Sequence, residues 1–199
     1  MPGLARDGLG ERVKTLAIIT RVHPDRPSML KVCVESVAAQ TSDDYVHILH
    51  RHDKTKLGYG RGEANKSVIA IKEIPARYAM VLDDDDMLID PDFVKDFKAQ
   101  IEGDPEMVFF KGQIHHHGIL PRPENWRKAP VLAGIGSFCL AVRTDIWMKH
   151  IHNFNWERCG DFHFLDACYK NTKNHVWWDR VVAKTQKGPG FGKPEREHA

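Results

Sequence analysis

Tyr78-Ala79-Met80-Val81-Leu82-Asp83-Asp84-Asp85-Asp86 is the stretch that decides the fold. A short apolar run bounded by polar residues reads as a buried strand. Here the run ends in four consecutive aspartates. Adjacent carboxylates repel one another, so a buried strand that ends this way needs compensation. Hard divalent cations such as Mg²⁺ or Mn²⁺ take oxygen ligands and supply it. Carboxylates at the carboxyl end of a strand also lie where open α/β sheets bind their ligands. The plainer alternative is a solvated acidic turn before a helix, with an aspartate as N-cap.

Reading outward from this run, Leu16–Thr20 is a second short apolar stretch, stopped by Arg21 and Pro24. It predicts a fully buried first strand. Pro27 suits the first turn of a helix, and Met29, Leu30, Val32, Cys33, Val37 and Ala38 recur at helical spacing up to Gln40. Tyr45–Leu49 predicts the second strand, and Gly58 and Gly60 mark a loop. A helix is predicted from about Glu63 to Ile74, closed by Pro75, and the third strand runs into the aspartates. Strands alternating with helices in this way predict βαβ units and a central, mostly parallel sheet flanked by helices. In the second half, 91–101 reads as a helix, 107–111 as a strand and 115–128 as a loop. The segment 134–142 passes from small to apolar residues. A short helix follows at 144–150, capped by Thr144 or Asp145, then a helix at 161–169 and a last strand at 176–183.

The 199 residues suffice for one domain with a sizeable core. With 42% hydrophobic and 28% charged residues, the chain reads as globular rather than disordered. Nothing approaches the roughly 20 apolar residues that cross a bilayer, and Met1–Lys14 lacks the apolar core of a signal peptide. Cys33, Cys139, Cys159 and Cys168 show no Cys-x-x-Cys spacing, which suits free thiols in the cytoplasm. The net charge of +2 gives no bulk argument for nucleic-acid binding. Acids gather at 83–96 and bases at 51–66 and 170–193, a distribution suited to a phosphate-bearing molecule bridged to a metal.

The order of these pieces resembles the family 2 glycosyltransferases of the GT-A fold, over about Leu16 to Lys184. The matches are Ile19-Thr20-Arg21 with the helix end Glu35-Ser36-Val37-Ala38-Ala39-Gln40-Thr41; Asp53; Gly60 with Ala64-Asn65; Val81-Leu82-Asp83-Asp84-Asp85-Asp86 with Pro91; and Gly160-Asp161-Phe162, where the family usually has Glu-Asp. The resemblance implies a flexible arm at 1–14, a GT-A domain at 15–187 and a flexible tail at 188–199. Within the domain, 15–90 would bind the nucleotide sugar and 91–187 the acceptor. It implies a metal-dependent transferase, with Mn²⁺ or Mg²⁺ at the Asp-x-Asp motif. The donor would be a nucleoside diphosphate sugar, by default UDP-linked, and the acceptor a hydroxyl on a carbohydrate or other molecule. Nucleic acid is not indicated, but a modified base is among the conceivable acceptors.

The resemblance also suggests roles. Asp85 would ligate the metal, and Asp83 would help it or contact the ribose. On an extended segment, residues two apart share a face, so Asp84 would point away from the metal. It would at most touch the nucleotide and is the most dispensable of the four. Asp86 would be a supporting partner or a cap. Asp53 would bond the base of the nucleotide or serve a turn. Thr20, Arg21, Arg61 and Asn65 would line the nucleotide side. Asp161 would be the general base of an inverting transfer, with Asp166 in reserve; the alternative is a helix-capping Asp161. Trp126 or Trp156 would offer a stacking platform, and Lys184, Lys187 and 188–192 a lid over the diphosphate. His115-His116-His117 does not suit one metal ion, since three consecutive extended residues do not converge. Two other readings stand beside this one. One is a nucleotide-sugar-binding module without turnover. The other is a phosphatase of the haloacid dehalogenase type, which would want its Asp-x-Asp near the N-terminus.

Overall fold

The computed structural model describes residues 13–51, 64–65, 68–115, 117–156 and 159–188. Asp53, Gly58, Gly60, Arg61, His116, the arm up to residue 12 and the tail from 189 lie outside the described residues. One sheet runs through the molecule, built from β1 (Lys14–Val22), β2 (Tyr45–Arg51), β3 (Ala76–Val81), β4 (Asp86–Leu88), β5 (Met107–Ile114), β6 (Gly118–Leu120), β7 (Leu140–Arg143) and β8 (His175–Thr185). Its order is β2-β1-β3-β7-β5-β8-β4, with β6 attached to β5. The long strands pair with one another only in parallel: β1 with β2 and β3, and β5 with β8. The short strands β4, β6 and β7 pair antiparallel, and β7, between β3 and β5, joins the two parallel groups into one surface.

Side-chain alternation sorts the sheet residues into two cores. Leu16 and Ile18 of β1, Tyr78 and Met80 of β3, and Val108 and Phe110 of β5 face one side. They meet helices α1 (Pro27–Ala38) and α2 (Phe93–Gln100) through Cys33, Val37, Phe93 and Phe97. Ala17, Ile19, Ala79, Val81, Met107 and Phe109 face the other side. There they meet α3 (Thr144–His150) and α4 (Gly160–Lys170) through Ile146, Trp147, Phe164 and Leu165. Strands buried on both faces carry continuous apolar runs, which is why 16–20 and 78–82 lack polar alternation.

The Gln40-Thr41 pair has a definite job. Gln40 Oε1 accepts from Val94 N at 3.0 Å, and its Nε2 donates to Asp90 O at 2.8 Å. Thr41 N donates to Pro91 O at 2.9 Å, and its hydroxyl to Asp92 Oδ1 at 2.6 Å. The end of α1 thereby satisfies the start of α2, whose N-cap residue, Asp92, makes no side-chain cap bond to the helix itself.

Three segments differ from their predicted form. The predicted loop 115–128 contains β6 and a 3₁₀ turn, Pro123–Asn125. The helix predicted to reach Ile74 ends at Val68 and gives way to a turn at 69–70. Helix α3 is not capped by Thr144 or Asp145: the Thr144 hydroxyl donates to Ala76 O at 2.6 Å, while Asp145 pairs with Arg143 at 2.8 Å. No helix among the described residues is long and apolar enough to cross a membrane.

Replacing Gln40 by alanine orphans the amide of the fully buried Val94. The expected cost is about 1–2 kcal/mol of stability, seen as a lower urea midpoint at unchanged m value.

Candidate active site

The β3 ladder continues through Leu82, whose amide donates to Ile19 O at 3.0 Å. Asp83–Asp86 then folds into a turn closed by Asp86 N donating to Asp83 O at 2.9 Å, and Asp86 opens β4. The aspartates therefore sit on a turn rather than an extended segment, and strict alternation does not govern their directions. Asp83, Asp85 and Asp86 each present a carboxylate oxygen within 4.8 Å of the others. Asp86, expected only as a supporting partner, belongs to the cluster. Gln186, just past β8, fastens the turn. Its amide donates to Asp85 O at 2.7 Å, and its Nε2 lies 3.1 Å from the carbonyl oxygens of Asp84 and Asp86 and 2.9 Å from that of Met29.

Two arginines oppose the four carboxylates. Arg21, at the end of β1, grips Asp83 with Nε and Nη2, both at 2.6 Å. Burial alone would lower the pKa of its guanidinium. The charge of Asp83 and its hydrogen bond, followed by the charges of Asp161 and Asp85, raise it instead. Arg26, only 2% exposed, reaches Asp85 Oδ2 at 3.0 Å and Asp84 Oδ1 at 3.2 Å. Fully ionised, the turn would still carry two uncompensated negative charges. Burial first, then the neighbouring carboxylates, push the carboxyls of Asp85 and Asp86 up. A divalent cation suits both the excess charge and the all-oxygen donor set. Asp83 keeps free lone pairs beside its bidentate arginine, so all three residues fit such an ion.

Asp84 lies outside that cluster. It is 2% exposed, and its Oδ2 accepts from His23 N at 2.5 Å while Oδ1 takes Arg26. Burial pushes its carboxyl up to about 7, opposed by the His23 amide and reinforced by the Asp83 charge. It is an internal fastener between the turn and the segment leading into α1. Thr20 is also internal. Its hydroxyl lies 2.8 Å from His47 Nε2 and 3.6 Å from Cys33 Sγ, with no exposed surface.

Asn65 carries the site toward α4. Its Oδ1 accepts from Arg21 Nη1, and it is 4% exposed. Gly160 packs directly on it: a Cβ on Gly160 would lie 2.6 Å from Phe154 O and 3.1 Å from Asn65 Nδ2. No side chain fits, which accounts for glycine where the resembling family has glutamate. Asp161 follows in the first turn of α4, with Oδ1 accepting from Phe162 N at 2.9 Å. The N-cap is Cys159, in a left-handed conformation (φ 54°) and without a side-chain cap bond. Asp161 also borders a cavity of about 390 Å³. The chain Asp83–Arg21–Asn65–Gly160 thus joins the acidic turn to Asp161.

The remaining candidates lie elsewhere. Asp166 pairs with Lys170 at 2.7 Å on α4. Trp126 packs edge-on against Trp177 with Lys111 Nζ 4.8 Å from its ring. Trp156 is 55% exposed and stacks on His163 at 4.2 Å. Lys184 sits in β8 opposite Met87. Arg26 and Gln186 were not among the expected site residues. Nothing around either one in the chain distinguishes it from a surface residue.

No protein-family model matches the chain, and no curated protein matches it. Solved structures do. The crystal structure of S. aureus TarS 1–349 in complex with UDP superposes at a TM-score of 0.65 with 13% identity, covering 88% of this chain and 61% of that one. The complex of the same protein with UDP-GlcNAc gives 0.65 and 15%, covering 89% and 60%. A glycosyltransferase involved in glycosylation of the major capsid of PBCV-1 gives 0.54 and 11%, covering 88% of this chain and 94% of that one. The fold is that of glycosyltransferases. The chain spans about three fifths of the TarS 1–349 structure.

Two substitutions test this geometry. Asp84→Ala strips buried Arg26 of one partner and the His23 amide of its acceptor, and should cost about 1–3 kcal/mol in chemical denaturation. Gly160→Ala forces Asn65 or the Phe154 carbonyl to move, and should lower stability by about 1–3 kcal/mol.

Proposed function

We propose that the chain is a metal-dependent glycosyltransferase that moves a sugar from a nucleoside diphosphate sugar, UDP-linked, to an acceptor hydroxyl with inversion. The observation that carries this reading is the cluster of Asp83, Asp85 and Asp86, one oxygen of each within 4.8 Å of the others, at the end of the interior strand β3. The site joins that cluster to Asp161 through Arg21, Asn65 and Gly160.

In this reading Asp85, Asp83 and Asp86 hold Mn²⁺ or Mg²⁺. Bound there, the ion supplies Lewis-acid stabilisation of the leaving diphosphate. Arg21 keeps Asp83 oriented, and Arg26 does the same for Asp85. Asp53 and Arg61, by the family resemblance, complete the nucleotide side. Asp161 accepts the proton of the acceptor hydroxyl as the oxygen bonds to the anomeric carbon. The bond from that carbon to the diphosphate oxygen breaks on the opposite face, so the configuration inverts. UDP-N-acetylglucosamine is the first donor to try, because the similar TarS structure binds it.

Calorimetry of UDP with and without Mn²⁺ checks the central claim. Binding is expected only with the ion, and Asp85→Ala should abolish that difference. Equal affinity in both conditions, or no nucleotide binding at all, removes the reading. For Asp161→Asn, turnover should fall by about 10² to 10⁴, with UDP affinity and melting temperature near those of the parent chain. Full turnover in that variant sinks the assignment of the base. A chain that binds the nucleotide sugar but neither transfers nor hydrolyses it would be a binding module.

A further inference from the structure

The core on the α3–α4 side is not filled beside Asp161. A cavity of about 390 Å³ is walled by Val81 of β3, Leu140 of β7, Trp147 of α3 and Phe164 of α4, and by the segment 132–137. Close-packed interiors leave few gaps larger than a water molecule, whereas this volume lies in the range of small-molecule sites. Polar side chains in its walls are few: the Asp161 carboxylate, the Ser137 hydroxyl and the Cys159 thiol.

A second observation is the wall segment itself: Leu132 is 57% exposed, and its neighbour Val131 is 48% exposed. The chain thus leaves apolar side chains open beside an apolar hollow that contains one carboxylate.

We propose that this cavity is the acceptor site, and that the acceptor is an uncharged, mostly apolar alcohol or phenol. Its hydroxyl meets Asp161, and its hydrocarbon body fills the remaining volume. A free sugar fits poorly, because most of its hydroxyls would be buried without partners. An anionic acceptor fits poorly too: no cationic side chain lines the cavity among the described residues, and Asp161 would repel it. This inference names the acceptor class of the transferase proposed above and rests on that reading.

7-Hydroxycoumarin, a fluorescent phenol with a lactone carbonyl, is a suitable probe in its neutral form. The full chain should bind it saturably, without displacement by UDP-N-acetylglucosamine and Mn²⁺. With that donor and Mn²⁺, mass spectrometry should find its O-glycoside. Ser137→Phe, which fills the cavity, should weaken probe binding by at least about tenfold and leave UDP affinity unchanged. Leu132→Ser, which strips the exposed apolar wall, should weaken it by about three- to tenfold. The two variants alter different parts of the wall, so a folding defect in one, seen by melting temperature, leaves the other decisive. Unchanged probe affinity in the well-folded variants overturns the proposal. Displacement by the donor alone, which would make the cavity part of the donor site, or equal competition by glucose also overturns it. If UDP binds with Mn²⁺ and the probe does not, only the acceptor assignment fails. If the probe binds as described and no nucleotide binds under any condition, the acceptor role falls together with the transferase reading.

Discussion

Compensation of negative charge at the end of β3 is the constraint on which the rest depends. Two like charges about 4 Å apart repel by about 1 kcal/mol in bulk water and by about 4 kcal/mol near a protein surface. Four carboxylates on one turn at a buried strand end multiply that penalty. The chain answers with two arginines drawn from the first strand and its exit: Arg21 on Asp83, and Arg26 on Asp84 and Asp85. Each pair spans about sixty residues of chain, so the same contacts that neutralise the turn also hold β1, α1 and β3 in position. The side chains of Arg26 and Asp84 are each 3% exposed. Removing one member of such a pair leaves an uncompensated buried charge, which is more damaging than the net worth of the pair.

The second consequence is communication between the two parts of the molecule. A guanidinium offers five donors in a fixed fork. Arg21 spends two on Asp83 and points a third at Asn65, so the orientation of Asn65 follows from the acidic turn. Asn65 in turn receives the backbone of Gly160, and any side chain there would strike Phe154 O or Asn65. The first turn of α4, and Asp161 with it, is therefore positioned by contact with the residues that organise the carboxylates. Asp161 also feeds back electrostatically, as one of the charges that keep Arg21 protonated despite its burial.

Much of the scaffold was legible from local pattern. Apolar runs at 16–20 and 78–82 mark β1 and β3, because strands covered on both faces need no polar alternation. The apolar spacing after Pro27 marks α1, whose buried face is Met29, Cys33 and Val37. What escaped is what depends on turns and on distant partners. The hairpin β5–β6 hides in a stretch rich in histidine and proline, because its pairing is set by β5 rather than by its own composition. An extended backbone would put Asp83 and Asp85 on one face without Asp86. The turn closed by Asp86 N and Asp83 O brings Asp86 into the group and sends Asp84 inward. Arg26 and Gln186 act across the fold, and neither stands out in its own stretch of sequence.

Each of the four aspartates has its own partners, so each fixes a different part of the turn. Asp83 anchors the guanidinium that reaches Asn65. Asp84 gives both oxygens to the segment between β1 and α1, through His23 N and Arg26. Asp85 shares Arg26 through one oxygen while its backbone carbonyl is held by Gln186. Asp86 closes the turn, accepts from Asp83 N at 3.2 Å and begins the edge strand that pairs with β8. Gln186 completes the enclosure from the end of β8, contacting the carbonyls of both Asp84 and Asp86. Asp84 is committed to internal bonds, which leaves Asp83, Asp85 and Asp86 as the clustered carboxylates. Their oxygens are gathered by a backbone turn held from β1, α1 and β8 together, so the geometry of the carboxylates is imposed by the scaffold and does not wait for a ligand to assemble it.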